Sequence, residues 1–265
     1  AVLYVGMQAP QQALDAGIVL ALAMGVVQSA FAFSQWKQWP VFLSSGMITG
    51  TLGHRTGLGI YLGMLVPLAF TTDYAWWLVA AYVPGIILAR SSVGYGAAAV
   101  GLIVVQPHLW FVGLASMLLG AIHRFVKRSG PTLKTRLWGD TWQARVSVWL
   151  VALWKTHRWP FWLIGHGGDS FHRDCRTWIH NHKLHEQYKE AHNDYVEFLY
   201  EYGVCGVVAL VWYGYTLASG LSLRDPMTGV LAGMAVASLG NFPVRVAPIL
   251  GVLSLVLITI HQRLL

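Results

Sequence analysis

His192 and Asn193 lie in the stretch EAHNDYVEFLYEYGVCG (190–206), in which Glu190, Asp194, Glu197 and Glu201 recur at spacings of four and three. An unperturbed imidazole titrates near neutrality, so His192 has the property a general base needs. A carboxylate from Asp194, Glu197 or Glu201 could orient or tune its ring. In a helix, His192, Tyr195, Leu199 and Tyr202 share one face and the four carboxylates another. Gly203 then interrupts the pattern where an apolar run begins. The same spacing also fits an amphipathic interfacial helix whose acidic stripe is simply solvated.

Just upstream, HNHKLHEQYKEAH (180–192) invites a metal reading. A zinc helix would carry H-E-x-x-H, but the sequence reads HEQYK and lacks the second histidine. No metal and no cofactor are expected. His180, His182 and His185 fit a wet, pH-sensitive segment that contacts acidic headgroups or glycan. Gly165, Gly167 and Gly168 are not followed by G-K-[ST], so they form no phosphate loop and are expected to let the backbone turn near a membrane.

The elements that must position these residues are apolar. The chain has 265 residues, of which 55% are hydrophobic and 11% charged, and its mean hydropathy is +0.52, a balance that fits the membrane class and excludes an ordinary soluble domain. Two cysteines, Cys175 and Cys205, are too few for a disulfide framework. With the chain embedded in a bilayer, the net charge of +7 points to membrane lipid headgroups or a phosphate-bearing substrate rather than to nucleic acid. The sequence opens at Ala1 with neither a basic n-region nor a cleavage pattern, so an incomplete N-terminus is an open expectation.

Apolar runs at 14–34, 57–71, 75–89, 92–107, 108–123, 203–219, 228–242 and 247–261 predict an all-α, polytopic bundle of seven or eight transmembrane helices. Several runs hold only about 15 residues, or roughly 22 Å of helix against a hydrocarbon core of roughly 30 Å. Flanking residues or local thinning must make up the difference. Tryptophan and tyrosine in TTDYAWW (71–77) and WKQWP (36–40) sit where headgroup-level anchors belong. Three regions follow: N-terminal transmembrane helices over 1–123, a long polar loop with amphipathic helices over 124–201, and C-terminal transmembrane helices over 202–265. The middle region holds twelve of the eighteen Lys and Arg and seven of the eleven His, which places the chemistry there. Within it, TWQARVSVWLVALWKTHRWPFWLIG is apolar but studded with tryptophan and charge, as in a helix lying in the bilayer interface.

His192-Asn193, nine residues, Gly203, two residues and Gly206 resemble the H-N-x9-G-x-x-G signature of the O-antigen ligase and O-antigen polymerase superfamily. Other landmarks come in that family's order. GTLGHRTGLGIYLGMLVPLA and ILARSSVGYGAA resemble two of its spans, and Arg145 with Trp149 resembles its R-x-x-x-W helix. PFWLIGHGGDSF is similar to its glycine-rich stretch, and NFPVRVAP to its closing proline–arginine turn. Together they cover roughly residues 50 to 261. Family members usually have ten or more spans, so this chain is short at its N-terminal side. Ala89 stands where they have serine, and GHRTG where they have an asparagine-rich element.

The resemblance implies transfer of a glycan from undecaprenyl diphosphate to a hydroxyl, without metal or nucleotide sugar. The acceptor would be lipid A core, another glycan or a protein side chain, which places the chain in lipopolysaccharide biosynthesis or protein O-glycosylation. His192 would take the acceptor proton. Fixed positive charge would meet the departing diphosphate, a task suited to the planar guanidinium fork. Arg145 and Arg90 are the first candidates by position in the motifs. Arg55 and Arg245 follow as substrate-binding candidates, each at the end of an apolar run, where snorkelling to a headgroup is the alternative. Asn193 would contact sugar or cap the helix, and Glu201 would support the site or the helix.

The implied topology is a bacterial inner-membrane protein whose long loop faces the periplasm. It leaves chiefly Arg224 and Arg263 inside, against the positive-inside rule, which weakens for loops above roughly 60 residues. Rival expectations are a non-enzymatic membrane scaffold and a transporter-like bundle; the latter should show two related halves with Gly/Pro-broken spans, which the sequence lacks.

Overall fold

The computed structural model describes residues 10–37, 48–52, 54–127, 140–181, 191–241, 243 and 246–264. Among these the protein is all-helical: α1 (Gln11–Trp36), α2 (Arg55–Ala69), α3 (Ala75–Ala89), α4 (Ser92–Val105), α5 (Trp110–Lys127), α6 (Asp140–Thr156), α7 (Phe161–Ile164), α8 (Ser170–Asn181), α9 (Asp194–Ser219), α10 (Pro226–Ser238) and α11 (Ala247–Leu264). Each of the eight apolar runs contains a helix. Three helices are long and apolar enough to cross a membrane: α1, α9 over Asp194–Leu217, and α11. The other apolar helices hold fewer residues than a straight span needs.

The chain folds as two compact units. The first comprises 1–123, 217–237 and 243–265, and the second comprises 124–216 and 238–242.

In the first unit α2 is the centre, with every residue from Gly57 to Ala69 buried. Small residues allow this. A Cβ added at Gly94 of α4 would lie 2.6–2.7 Å from the backbone of Gly59, so the two helices touch backbone to backbone. Contacts of Gly63 with Ala98 and of Pro67 with Gly101 continue the seam, so α2 and α4 run parallel. Helix α1 is apolar around its circumference. It exposes Val19, Leu20 and Val27 while burying Gln28, Ser29 and Ser34, the reverse of a soluble helix and the arrangement a lipid-facing one requires. Its inner polar and backbone groups are satisfied across the interface. Tyr82 donates to the Leu22 carbonyl (2.8 Å) and Tyr61 to that of Ala21 (3.2 Å). Pro84 removes one N–H from the ladder of α3, and the next, on Gly85, donates to Ser29 Oγ (3.0 Å).

The second unit has its own core. Val148 and Ala152 of α6 meet Phe171, Cys175 and Trp178 of α8, which recur at helical spacing, together with Ala191 and Tyr200. Phe171, Trp178 and Tyr200 pack edge to face with centroids 5.1–5.5 Å apart. The Tyr200 hydroxyl of that cluster donates to Asp174 (2.8 Å).

Candidate functional site

The second unit is organised around a break in α9. Gly203 has φ 62° and ψ −167°, a conformation open essentially to glycine alone, so the helix stops there and restarts. A break frees carbonyls that the next turn would have used. They are taken by another segment: His166 N–H donates to the Tyr200 carbonyl (3.0 Å) and Gly167 N–H to that of Glu201 (2.9 Å). Gly165 (φ 72°, ψ −173°) makes the crossing possible from the other side. A Cβ on Gly203 would lie 2.5 Å from the Leu163 carbonyl oxygen, and one on Gly165 2.2 Å from that of Glu201. Glycines 38 positions apart in sequence therefore form one backbone crossing.

At the other end of the same helical arm stands His192. It precedes α9, which begins at Asp194, rather than lying on it, and its φ of 51° is left-handed. Its neighbours are fixed on both sides. Trp149 Nε1 donates to the Ala191 carbonyl (2.6 Å), and Asn193 Oδ1 accepts the N–H groups of Tyr195 (3.0 Å) and Val196 (3.2 Å) as an N-cap. The Arg145–Trp149 pair is thus accounted for in part: one turn along α6 from Trp149, Arg145 donates to the Gly240 carbonyl (3.2 Å). Asp194, next to the cap, accepts from Ser238 (3.2 Å).

Glu201 turns toward α8. Its Oε1 accepts from the Phe171 N–H (3.4 Å), and the backbone of Asp169 also donates to the carboxylate, so it caps the start of that helix. Glu197 is buried on the same arm. Burial pushes the Cys175 thiol up to about 11, so it is packed as an inert thiol rather than a nucleophile.

His166, which sequence spacing does not single out, lies stacked between Phe161 (4.0 Å between centroids) and Tyr200 (4.2 Å). Burial lowers its pKa below the usual histidine value. Lys155 and Arg173 act in the same sense, against Asp174 and a hydrogen bond to the Lys155 backbone. A depressed folded-state value means that this histidine's contribution to stability is complete above about pH 6.5, the unfolded value, and is lost as pH falls through the folded one. His166→Phe keeps the stack and cannot titrate. Unfolding temperature measured against pH is therefore expected to drop more steeply below pH 6.5 in the wild type than in His166→Phe. Parallel curves would assign the acid sensitivity to other groups.

The first unit carries Arg55 and Arg90. Arg55 is the first residue of α2. Arg90 closes α3 in the left-handed conformation (φ 50°, ψ 39°) and directly precedes Ser91, whose Oγ caps α4 through the Gly94 N–H (3.1 Å). Because α2 and α4 are parallel and touch at Gly59 and Gly94, two positive helix ends and two guanidinium-bearing residues gather at one end of the unit. Like charges assembled there suit an anion. The turn leading to Arg55 is held by two glutamines of α1 that sequence patterning does not pick out. Gln35 Oε1 accepts from Thr49 (2.9 Å) and Gly50 (3.0 Å), and Gln28 Oε1 from Thr51 (2.9 Å). Their one signal was amide side chains within an apolar span. Arg245, His182 and His185 lie outside the described residues.

No protein-family model matches the chain, and neither a curated protein nor a solved structure shows significant similarity to it.

Proposed function

We propose that the chain is a multi-pass, metal-independent glycosyltransferase of the O-antigen ligase or polymerase type, moving a glycan from undecaprenyl diphosphate to a hydroxyl acceptor at the periplasmic face of the bacterial inner membrane. One observation carries the reading. Three described residues other than glycine hold a positive φ, Arg90, Asp169 and His192, and two of the three are the residues that the motif resemblance assigns to diphosphate and to the acceptor proton. Backbone held in the left-handed region costs about 1 kcal/mol per residue and persists where surrounding structure enforces it, as it does at functional sites.

In this reading His192 accepts the proton of the attacking hydroxyl, and Arg145 and Arg90 stabilise charge on the departing diphosphate. Arg55 and Arg245 assist in binding. Asn193 and Glu201 act one step back, setting the starts of α9 and α8 through the caps described above. The seven or eight spans of the bundle, with the short helices matched to a locally thinned bilayer, keep Arg224 and Arg263 in the cytoplasm.

The test is transfer in liposomes containing a polyprenyl-diphosphate oligosaccharide, offered lipid A core, free glycan and a serine-containing protein as acceptors. The wild type should modify one of them, and Arg145→Ala should lower the rate by about 100-fold or more, the usual effect of removing a group that stabilises developing charge. Transfer by Arg145→Ala at the wild-type rate would remove Arg145 from the mechanism. No transfer to any acceptor would favour a scaffold.

A further inference from the structure

Residues 150–164 of the second unit are apolar on the outside to a degree the fold itself does not use. Helix α6 buries Val148, Ala152 and Thr156 on one face and presents Leu150, Leu153 and Trp154 on the other. Trp159 (72% exposed), Trp162 and Ile164 continue that surface through the turn and α7. Solitary exposed hydrophobics are ordinary, but a continuous run of tryptophan and leucine is not. A cation is interleaved with it: Arg158 lies 4.6 Å from the Trp154 ring centroid.

The backbone crossing sets the height of this surface. Leu163 and Gly165 are in contact with Gly203, the point at which α9 turns from its polar arm into its apolar half. Beyond Gly203 that half exposes Val208, Val211, Trp212 and Tyr215, the surface of a helix in lipid. The tryptophans are therefore held where α9 passes from its polar arm into its apolar half, and indole rings prefer such a polar–apolar boundary in a bilayer.

The geometry points to residues 150–164 as a shelf that binds the bilayer surface, with Trp159 and Trp162 inserted among the acyl–glycerol groups and Arg158 bound to the phosphates of anionic lipids. Its occupant is a lipid surface rather than a protein: an arginine on an apolar, tryptophan-rich face matches anionic headgroups above an acyl layer. The inference does not depend on glycan transfer.

It is tested on the full chain in nanodiscs with Cys205→Ser, carrying one nitroxide label at Trp159→Cys or Trp162→Cys. Arg173→Cys serves as the aqueous reference and Val211→Cys as the lipid reference. Collisions with dissolved oxygen and with a water-soluble nickel chelate are read by EPR. Labels at 159 and 162 are expected to be oxygen-accessible and nickel-protected, as at 211. In discs with anionic phospholipid, Arg158→Glu should shift that reading toward the aqueous reference, with little change in wholly zwitterionic discs. A label at 159 that reads like 173 overturns the shelf, as does protection from both reagents, which would mean a protein contact. A charge reversal that acts equally in both kinds of disc overturns the anionic-headgroup assignment.

Discussion

Gly203→Ala is expected to unfold the second unit under conditions in which the wild type is stable, at a cost of about 3 kcal/mol or more. Two effects add. The conformation at Gly203 (φ 62°, ψ −167°) is essentially closed to residues with a Cβ, a strain of order 1–3 kcal/mol. The new methyl group would also meet the Leu163 carbonyl oxygen at 2.5 Å and the Gly165 nitrogen at 2.6 Å, and both are backbone atoms with no rotamer to move aside. Relief requires separating the two segments, which breaks the bonds from His166 and Gly167 to the Tyr200 and Glu201 carbonyls and removes Tyr200 from the core. Gly165→Ala breaks the same crossing from the other segment. The double substitution should therefore cost far less than the sum of the two singles, the mark of residues acting as one unit. Gly214 lies in the same helix with open space around it, so Gly214→Ala is the neutral control. Thermal unfolding followed by tryptophan emission reads all four variants. A Gly203→Ala protein that melts with the wild type would show that the crossing does not hold the unit together.

That crossing also shows where a sequence stops being informative. The apolar runs announced the helices because burial in lipid demands length and continuous hydrophobicity, both local properties. Gly203 was legible as a break for the same reason: it interrupts a periodic pattern within its own helix. Its partner Gly165 was legible only as part of a turn, since a backbone-to-backbone contact leaves no side-chain pattern to match. Asn193 at the start of α9 could be anticipated as a cap from residue type. The destination of Glu201 could not, because a carboxylate that caps a helix 30 residues upstream looks in sequence like any other member of an acidic stripe. His192 sits on the face of a helix when spacing alone is considered, whereas the chain places it one step before the helix in left-handed backbone. Periodicity assumes a helix up to the cap, and a positive φ at a histidine has no signature of its own. The stacking of His166 and the glutamine clamp of α1 are tertiary facts of the same kind.

The left-handed backbone at His192 makes the catalytic role proposed for it separable from any structural one. His192→Ala removes the imidazole and keeps the strain; His192→Gly removes both. A general base contributes roughly 100- to 10,000-fold to rate, so both variants should lose glycan transfer on that scale. Their stabilities should differ in the opposite sense to a residue that holds the fold. The glycine variant should be more stable than the alanine variant by up to about 1 kcal/mol, because glycine adopts a positive φ without the Cβ clash. A structural histidine predicts that activity tracks stability, so that His192→Gly, the better folded of the two, would transfer glycan better. A base predicts equal loss. It also predicts that imidazole added to His192→Gly, where the side-chain space is open, restores part of the rate, with a pH dependence set by the added imidazole. The measurements are initial rates in liposomes beside unfolding temperatures for the same preparations. Wild-type rates in both variants would leave the H-N motif as a helix start, with Asn193 as its working residue. An inactive glycine variant that is at least as stable as wild type would place the chemistry on the imidazole, because no loss of folded protein could then account for the lost rate.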